Sequence, residues 1–446
     1  MSAGLPDETD RRRRSLAARL ARLGFADARR AESLIGELAA DGLDLAGSAQ
    51  PSGGAARSGR PGAAPEDALD ILASGASPDQ ALLALARLAP GAGPRLGPFL
   101  ADRAALRRLA AVLGHSVALG DHLVRHPESL EALRGPDSAI ERPEGQVRAA
   151  LLRAVGADPE AAAPVAGGGD VAVVDALRVA YRGRLLEIAA HDLASEEPKA
   201  LFGMVGGALA DLATGTLEAA LAIGRAQTAD HAAARLAVIG MGKCGGRELN
   251  YVSDVDVIYV AEAADGVAED HALAVATALA SALARVCTMT AGEPAIWQVD
   301  ANLRPEGKNG PLVRTAASHR AYLERWAATW EFQALLKARA VAGDLPLGEE
   351  YVAMTRPMVW ACVEREGFVD DAQAMRRRVE SHVPAGEAER QIKLGRGGLR
   401  DVEFTVQLLQ LVHGRGDPSI RSANTLEGLA ALAGASYVGR VHAGRL

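Results

Sequence analysis

The stretch that most restricts how this chain can fold is "LAVIGMGKCGGRELNYVSDVDVIYVAE", Leu236 to Glu262. A first apolar run passes into Gly240-x-Gly242-x-x-Gly245, and a second apolar run carries Asp254-Val255-Asp256. Glycines at this spacing match a dinucleotide-binding turn, which needs a helix and then a parallel return strand. A parallel return takes at least about a dozen residues. Only seven residues, Arg247 to Ser253, separate Gly246 from the aspartate run, and they show no apolar helical face. The acidic pair also arrives too early for a ribose-binding carboxylate, which lies about 20 residues downstream in such folds. No Gly-Lys-Ser/Thr closes the loop as a P-loop requires. The glycines therefore do not mark a dinucleotide or P-loop site.

The aspartates carry more. Side chains alternate along a strand, so Asp254 and Asp256 project to one side while Val255 and Val257 turn to the core. Two carboxylates about 7 Å apart on one strand repel each other and gain nothing from apolar burial. Bridging divalent cations would resolve this. Mg²⁺ takes one or two carboxylates and completes its shell with water and phosphate oxygens. A pair of such ions can activate the attacking oxygen and stabilise the leaving one in a displacement at phosphorus. Asp300, at the end of the strand-like run in "AIWQVDANLRPEGKNGP", offers a third ligand. A lone Asp-x-Asp is usually a solvated loop; here a strand and a glycine-lysine turn precede it, and a basic-flanked aspartate strand follows.

Several other residues are candidates for nucleotide or phosphate binding. The turn Gly242-Lys243, with Gly245 and Gly246, can bring backbone N–H groups and one ammonium to a phosphate; the alternative for Lys243 is a surface charge at a helix start. Ser253 either orients Asp254 or begins the strand. Arg304 and Lys308 either bind phosphate or decorate a solvated turn. Lys337 and Arg339 stand near a helix end, where cations also complement the helix dipole. Arg396-Gly397-Gly398 permits close backbone approach before a helix starting near Asp401. Glu403 and Gln407 share one helix face and meet either the nucleotide or the core strand. Glu248 and Asn250 read as loop organisers, and Trp326 and Trp330 as helix packing rather than a base-stacking pair. Only five of the 49 basic residues are lysine, and four of them, Lys243, Lys308, Lys337 and Lys393, fall in these segments.

The rest of the chain reads as helix, in keeping with abundant alanine and 4% aromatics. Expected boundaries are N-terminal helices at 1–50, a low-complexity linker at 51–68, a helical domain at 69–230, a core at 231–345 and a helical domain at 346–446. Helix is expected over 11–41, and Ser77-Pro78-Asp79 reads as an N-cap with proline in the first turn. Breaks are expected near Gly114 and Pro127. Strand signals appear only at Leu236–Ile239, Val255–Val260 and Ile296–Val299. The fold class is thus α+β, a small mixed sheet embedded in predominantly helical domains.

The net charge of −7 gives no general attraction to nucleic acid or an anionic membrane. Three scattered cysteines without CxxC spacing, and no HExxH pair, point away from zinc and disulfides and toward a reducing compartment. No signal peptide is evident, and the most apolar segment, Ala272–Ala284, is expected to be too short to span a bilayer. A soluble, cytoplasmic protein is expected.

Taken together, "GMGKCGGRELNYVSDVDVIYV", "VDANLRPEGKNGPLV", "WEFQALLKARAVAGD" and "IKLGRGGLRDVEFTVQLLQLVHG" resemble the glutamine-synthetase adenylyltransferase/deadenylase family of the nucleotidyltransferase superfamily. "AAVLGHSVALGDHLVRHPESL" resembles that family's N-terminal helices. The family's full-length members carry two nucleotidyltransferase halves, and this chain contains one. Its "GRELNYVSDVD" form resembles the N-terminal, deadenylylating half, so the chain is expected to be a fragment or truncated product. The resemblance implies Mg²⁺-dependent phosphorolysis of an AMP–tyrosine ester on glutamine synthetase, with inorganic phosphate and an adenylyl nucleotide as substrate and product. It implies two Mg²⁺ ions on Asp254, Asp256 and Asp300. It also implies control of nitrogen metabolism through a PII-class signal protein. Adenylylation with ATP and a non-catalytic docking module are the alternatives; a small-molecule nucleotidyltransferase fits the large helical additions poorly. Ala340 stands where the family commonly has proline, which is expected to affect a turn.

Overall fold

The computed structural model describes residues 16–45, 67–136, 140–381, 383–384, 386 and 390–445. The expected linker at 51–68 lies outside these, apart from its last two residues. The chain divides into two units, the described residues of Met1–Glu141 with Arg182–Val205, and Arg142–Tyr181 with Gly206–Leu446.

The first unit is helical. Residues 16–22 form one helix and Ala28–Ala40 another. The single helix expected over 11–41 is therefore corrected: Gly24, at φ +90°, turns the chain between them. Ser77 caps Pro78–Ala92 through a hydrogen bond from Gln80 N, with Pro78 in the first turn. Ser116 ends Arg103–His115 and caps Val117–Arg125 by accepting from Leu119 N. Pro127 then opens a 3₁₀ stretch to Arg134. The core is leucine-rich: Leu69, Leu72, Leu82, Leu85, Leu106 and Leu109 are fully buried, each worth about 1.5–3 kcal/mol of transfer from water.

The second unit holds a five-stranded sheet: β1 (Ala234–Gly240), β2 (Val255–Ala263), β3 (Val299–Asp300), β4 (Val313–Arg314) and β5 (Arg339–Gly343), in the order β3-β2-β1-β5. β1 pairs antiparallel with β2, from Ala234 opposite Ala263 to Gly240 opposite Val257. β5 pairs antiparallel with the other edge of β1. β3 and β4 both add to β2 in parallel, so the sheet is mixed. The third strand is thus Val299–Asp300 rather than Ile296–Val299, and two strands, β4 and β5, were not expected. Ala340 lies in β5 opposite Ile239, so the position expected in a turn belongs to a strand.

Both faces of the sheet are covered, which is why β1 and β2 read as near-continuous apolar runs. Ala237, Ile239, Ile258 and Val260 pack with Leu347, Tyr351 and Val359 of the helix Leu345–Ala361. The helix Glu269–Thr288 packs against β1 and β2 as well. It contains Ala272–Ala284, and this corrects the expectation of a segment too short to span a bilayer. By length and composition alone, it and Pro198–Gln227 could cross a membrane, but 50% and 67% of their apolar windows are buried in the protein. The helices Leu399–His413 and Thr425–Gly434 share a small core of Val406, Ile420, Leu429 and Leu432.

Candidate functional site

The antiparallel β1–β2 pair brings the glycine turn back beside the start of β2. Met241 N donates to Asp256 O at 2.9 Å and closes the turn. Asp254 is exposed just before β2, Asp256 lies in β2, and the parallel register sets Asp300 of β3 beside Asp256. One carboxylate oxygen from each of the three lies within 4.8 Å of the others. The donor set is wholly hard anionic oxygen, the kind that Mg²⁺ takes, so Asp254, Asp256 and Asp300 fit a divalent cation. Burial, then Asp254 and Asp300, push the Asp256 carboxyl up to about 6, against the pull of Arg400 and Lys393.

The glycines serve close approach. Gly242 sits at φ +51°, and a Cβ there would lie 2.4 Å from Asp256 Oδ2. A Cβ on Gly245 would strike Lys337 O at 1.9 Å, and one on Gly246 would come within 2.7 Å of Ala423 O. Any larger residue would push the turn off the carboxylate or off the backbone segments packed over it. Lys243 donates to Asn250 Oδ1, and burial together with Lys393 and Arg400 holds its ammonium below the usual lysine range. Ser253 Oγ donates to Asp254 O at 2.8 Å.

A cavity of about 240 Å³ opens beside the triad. Asp256 and Gly242 line one part of it; Trp330, Gln333 and Lys337 come from the segment around the helix Thr329–Leu335, and Arg400, Glu403, Phe404 and Gln407 from the helix Leu399–His413. Gln333 Nε2 donates to Gln407 Oε1 at 2.7 Å. Arg400 pairs with Glu403 at 3.2 Å and lies over the Phe404 ring at 5.5 Å. Of the aromatic pair expected only to pack, Trp330 lines the cavity, whereas Trp326 is 76% exposed.

The remaining candidates are placed as follows. Lys337 is buried, 3% exposed, and bonds Glu248, Glu403 at 2.6 Å and Thr425 Oγ1 at 3.2 Å. Burial pushes Glu403 up, but Lys337 and Arg400 outweigh it and hold the carboxyl below its usual range. Arg304 donates to the carbonyls of Ala301, Gly310 and Pro311, and Lys308 is exposed on the turn Gly307–Asn309. Arg339 engages Glu144, Thr214 and Cys244 O. The Arg396 side chain is 92% exposed near Glu380. Gly397, at φ +70°, donates its N–H to Asp401 at 2.6 Å, and Gly398 caps the Leu399 helix. Among the predicted site residues, then, Gly242, Asp256, Lys337 and Glu403 reach the cavity, with Asp254 and Asp300 beside it. Arg400 and Phe404 were not singled out from the sequence; the i, i+3, i+4 spacing of Arg400, Glu403, Phe404 and Gln407 is the signal that puts them on one face.

A family model described as Glutamate-ammonia ligase adenylyltransferase matches residues 106–354, more than half of the chain and all three aspartates. A second, described as GlnD PII-uridylyltransferase, matches residues 372–446, which contain Lys393, Arg400 and Glu403. The chain is 49% identical, over 98% of its length, to the bifunctional glutamine synthetase adenylyltransferase/adenylyl-removing enzyme of Streptomyces avermitilis, of which it covers 40%. Proteins of the same description from Cutibacterium acnes and Mycobacterium avium are 52% and 51% identical over 83% and 85% of the chain, and it covers 37% of each. The chain thus spans about two fifths of the length of these relatives.

Proposed function

Because the chain belongs to the glutamate–ammonia ligase adenylyltransferase family, a nucleotidyltransferase family, we propose that it removes AMP from an adenylylated tyrosine of glutamine synthetase by Mg²⁺-dependent phosphorolysis. The observation that carries this reading is the convergence of Asp254, Asp256 and Asp300, with oxygens within 4.8 Å of one another, beside a cavity that also presents cations and aromatic rings. The "GRELNYVSDVD" form of the turn supports the removing direction over the attaching one.

An oxygen of inorganic phosphate bonds to the α-phosphorus of the ester. The bond from that phosphorus to the tyrosine oxygen breaks, and its electron pair leaves on the phenolate. The phenolate takes the proton brought in by hydrogen phosphate, so the products are ADP and unmodified tyrosine. Mg²⁺ held by the three carboxylates would polarise the phosphoryl oxygens and offset charge on the attacking and leaving atoms. Gly242 keeps Asp256 open to the cavity, and Trp330 and Phe404 offer apolar surface to a nucleoside. The arrangement needs no covalent intermediate on the protein. We place the enzyme in the cytoplasm, under a PII-class signal protein.

The test is to incubate adenylylated glutamine synthetase with the chain, Mg²⁺ and phosphate and to separate the nucleotides by chromatography. ADP is expected. AMP in place of ADP would mean hydrolysis and would overturn the proposal.

A further inference from the structure

The basic residues near the triad divide by what their N–H groups already do. Lys337 has three donors and three acceptors, Glu248, Glu403 and Thr425, so none is left for a ligand. Arg304 is spent on the carbonyls of its own loop. Arg339 is held by Glu144, Thr214 and a backbone carbonyl. Three other cations keep donors in hand. Arg400 lines the cavity with Asp256 and Gly242, and among the described residues its guanidinium meets an acceptor only through Nη1, Glu403 at 3.2 Å. Among the described residues the Lys243 ammonium donates to Asn250 alone. Lys393 is exposed, and among the described residues its ammonium has no hydrogen-bond or ion-pair partner.

The chain brings these three together. Leu399 N donates to Ile392 O at 2.9 Å and Arg400 N to Lys393 O at 3.0 Å, so residues 392–400 fold back and set Lys393 beside Arg400. Lys243 directly follows Gly242, which abuts the Asp256 carboxylate, and both Lys393 and Arg400 act on its charge. Like charges gathered in this way repel, and they are stable together when an anion lies among them. The triad alone would repel an incoming dianion. A hydrolase delivering neutral water has no need of a counter-cluster, whereas a phosphorolytic enzyme must carry hydrogen phosphate toward three carboxylates.

We propose that Lys243, Lys393 and Arg400 form the binding site of the attacking inorganic phosphate, distinct from the engaged cations Arg304, Lys337 and Arg339. This rests on the phosphorolysis reading above. The trio supplies charge-assisted hydrogen bonds to the phosphate oxygens and leaves one oxygen facing the α-phosphorus.

The experiment is steady-state phosphorolysis of adenylylated glutamine synthetase by wild type, Lys393→Met, Lys393→Arg and Arg400→Met, varying phosphate and adenylylated protein separately. Lys393 is exposed, so its replacement leaves the fold intact. Each Met variant should raise the KM for phosphate about tenfold or more, the scale of one lost charged hydrogen bond. The KM for the adenylylated protein should stay at its wild-type value, and Lys393→Arg should restore phosphate affinity. An unchanged phosphate KM, or a rise confined to the adenylylated protein, overturns the site. A wild-type chain that releases no ADP overturns the phosphorolysis reading instead. The site is then decided by calorimetric titration with inorganic phosphate: binding lost in the Lys393→Met/Arg400→Met double variant upholds it, and equal binding overturns it.

Discussion

Asp256 is the residue on which burial and function pull in opposite directions. Burial first, then Asp254 and Asp300, raise its carboxyl to about 6. A carboxyl with a folded pKa above its unfolded value weakens the fold when it is ionised. The stabilising protonated form is complete below the unfolded value, about 3.9, and its benefit is lost as pH rises through about 6. In the presence of a chelator, Asp256→Asn should therefore be more stable than wild type at pH 7.5, by something on the order of 1–2 kcal/mol. The gap should close as pH falls toward 4. Thermal melts across that range check this, and a wild type that melts at or above the variant at pH 7.5 would contradict it. The same substitution should lower phosphorolysis by about a thousandfold or more, since it removes several kcal/mol of charge stabilisation.

At the scale of elements, Lys337 ties the turn after β1 to two helices. Glu248 accepts from Thr425 N at 2.8 Å as well as from Lys337, and Glu403 brings in the Leu399 helix. Lys337→Met would leave the largely buried Glu248 without its cation and Glu403 with Arg400, and breaking such a buried pair costs about 3–5 kcal/mol. Urea denaturation should show a loss of that size, and a variant as stable as wild type would show that the three-way clasp contributes little.

The same elements show what could be read in advance. Asp254 and Asp256 were legible because a strand repeats every two residues, and Asp300 because it ends a strand-like run. β5 was not legible: "RAVAG" is short and alanine-rich, shows no alternation, and becomes a strand only by pairing with β1 far upstream. The cations were the hardest to read. Whether Arg304 faces a ligand or clasps Gly310 and Pro311 depends on how a loop closes, and no spacing in the sequence records that. The fold-back that sets Lys393 beside Arg400 is likewise a matter of backbone pairing.

For the whole molecule, the described residues contain one all-carboxylate group fit for divalent cations, in a chain that spans about two fifths of its bifunctional relatives. On the proposed reading, one such centre should run one direction of the chemistry, removal. With ATP, Mg²⁺ and unmodified glutamine synthetase, the chain should attach no AMP; radiolabelled adenylyl groups on the synthetase would show that it works in the attaching direction. The most direct measurement follows the phosphorus atom. Radiolabelled orthophosphate, adenylylated glutamine synthetase, Mg²⁺ and the chain should yield ADP labelled in its β-phosphate, and Asp300→Asn should abolish that product. Label remaining in orthophosphate while unlabelled AMP accumulates, or labelled ADP formed equally well by Asp300→Asn, would contradict phosphorolysis at the aspartate triad.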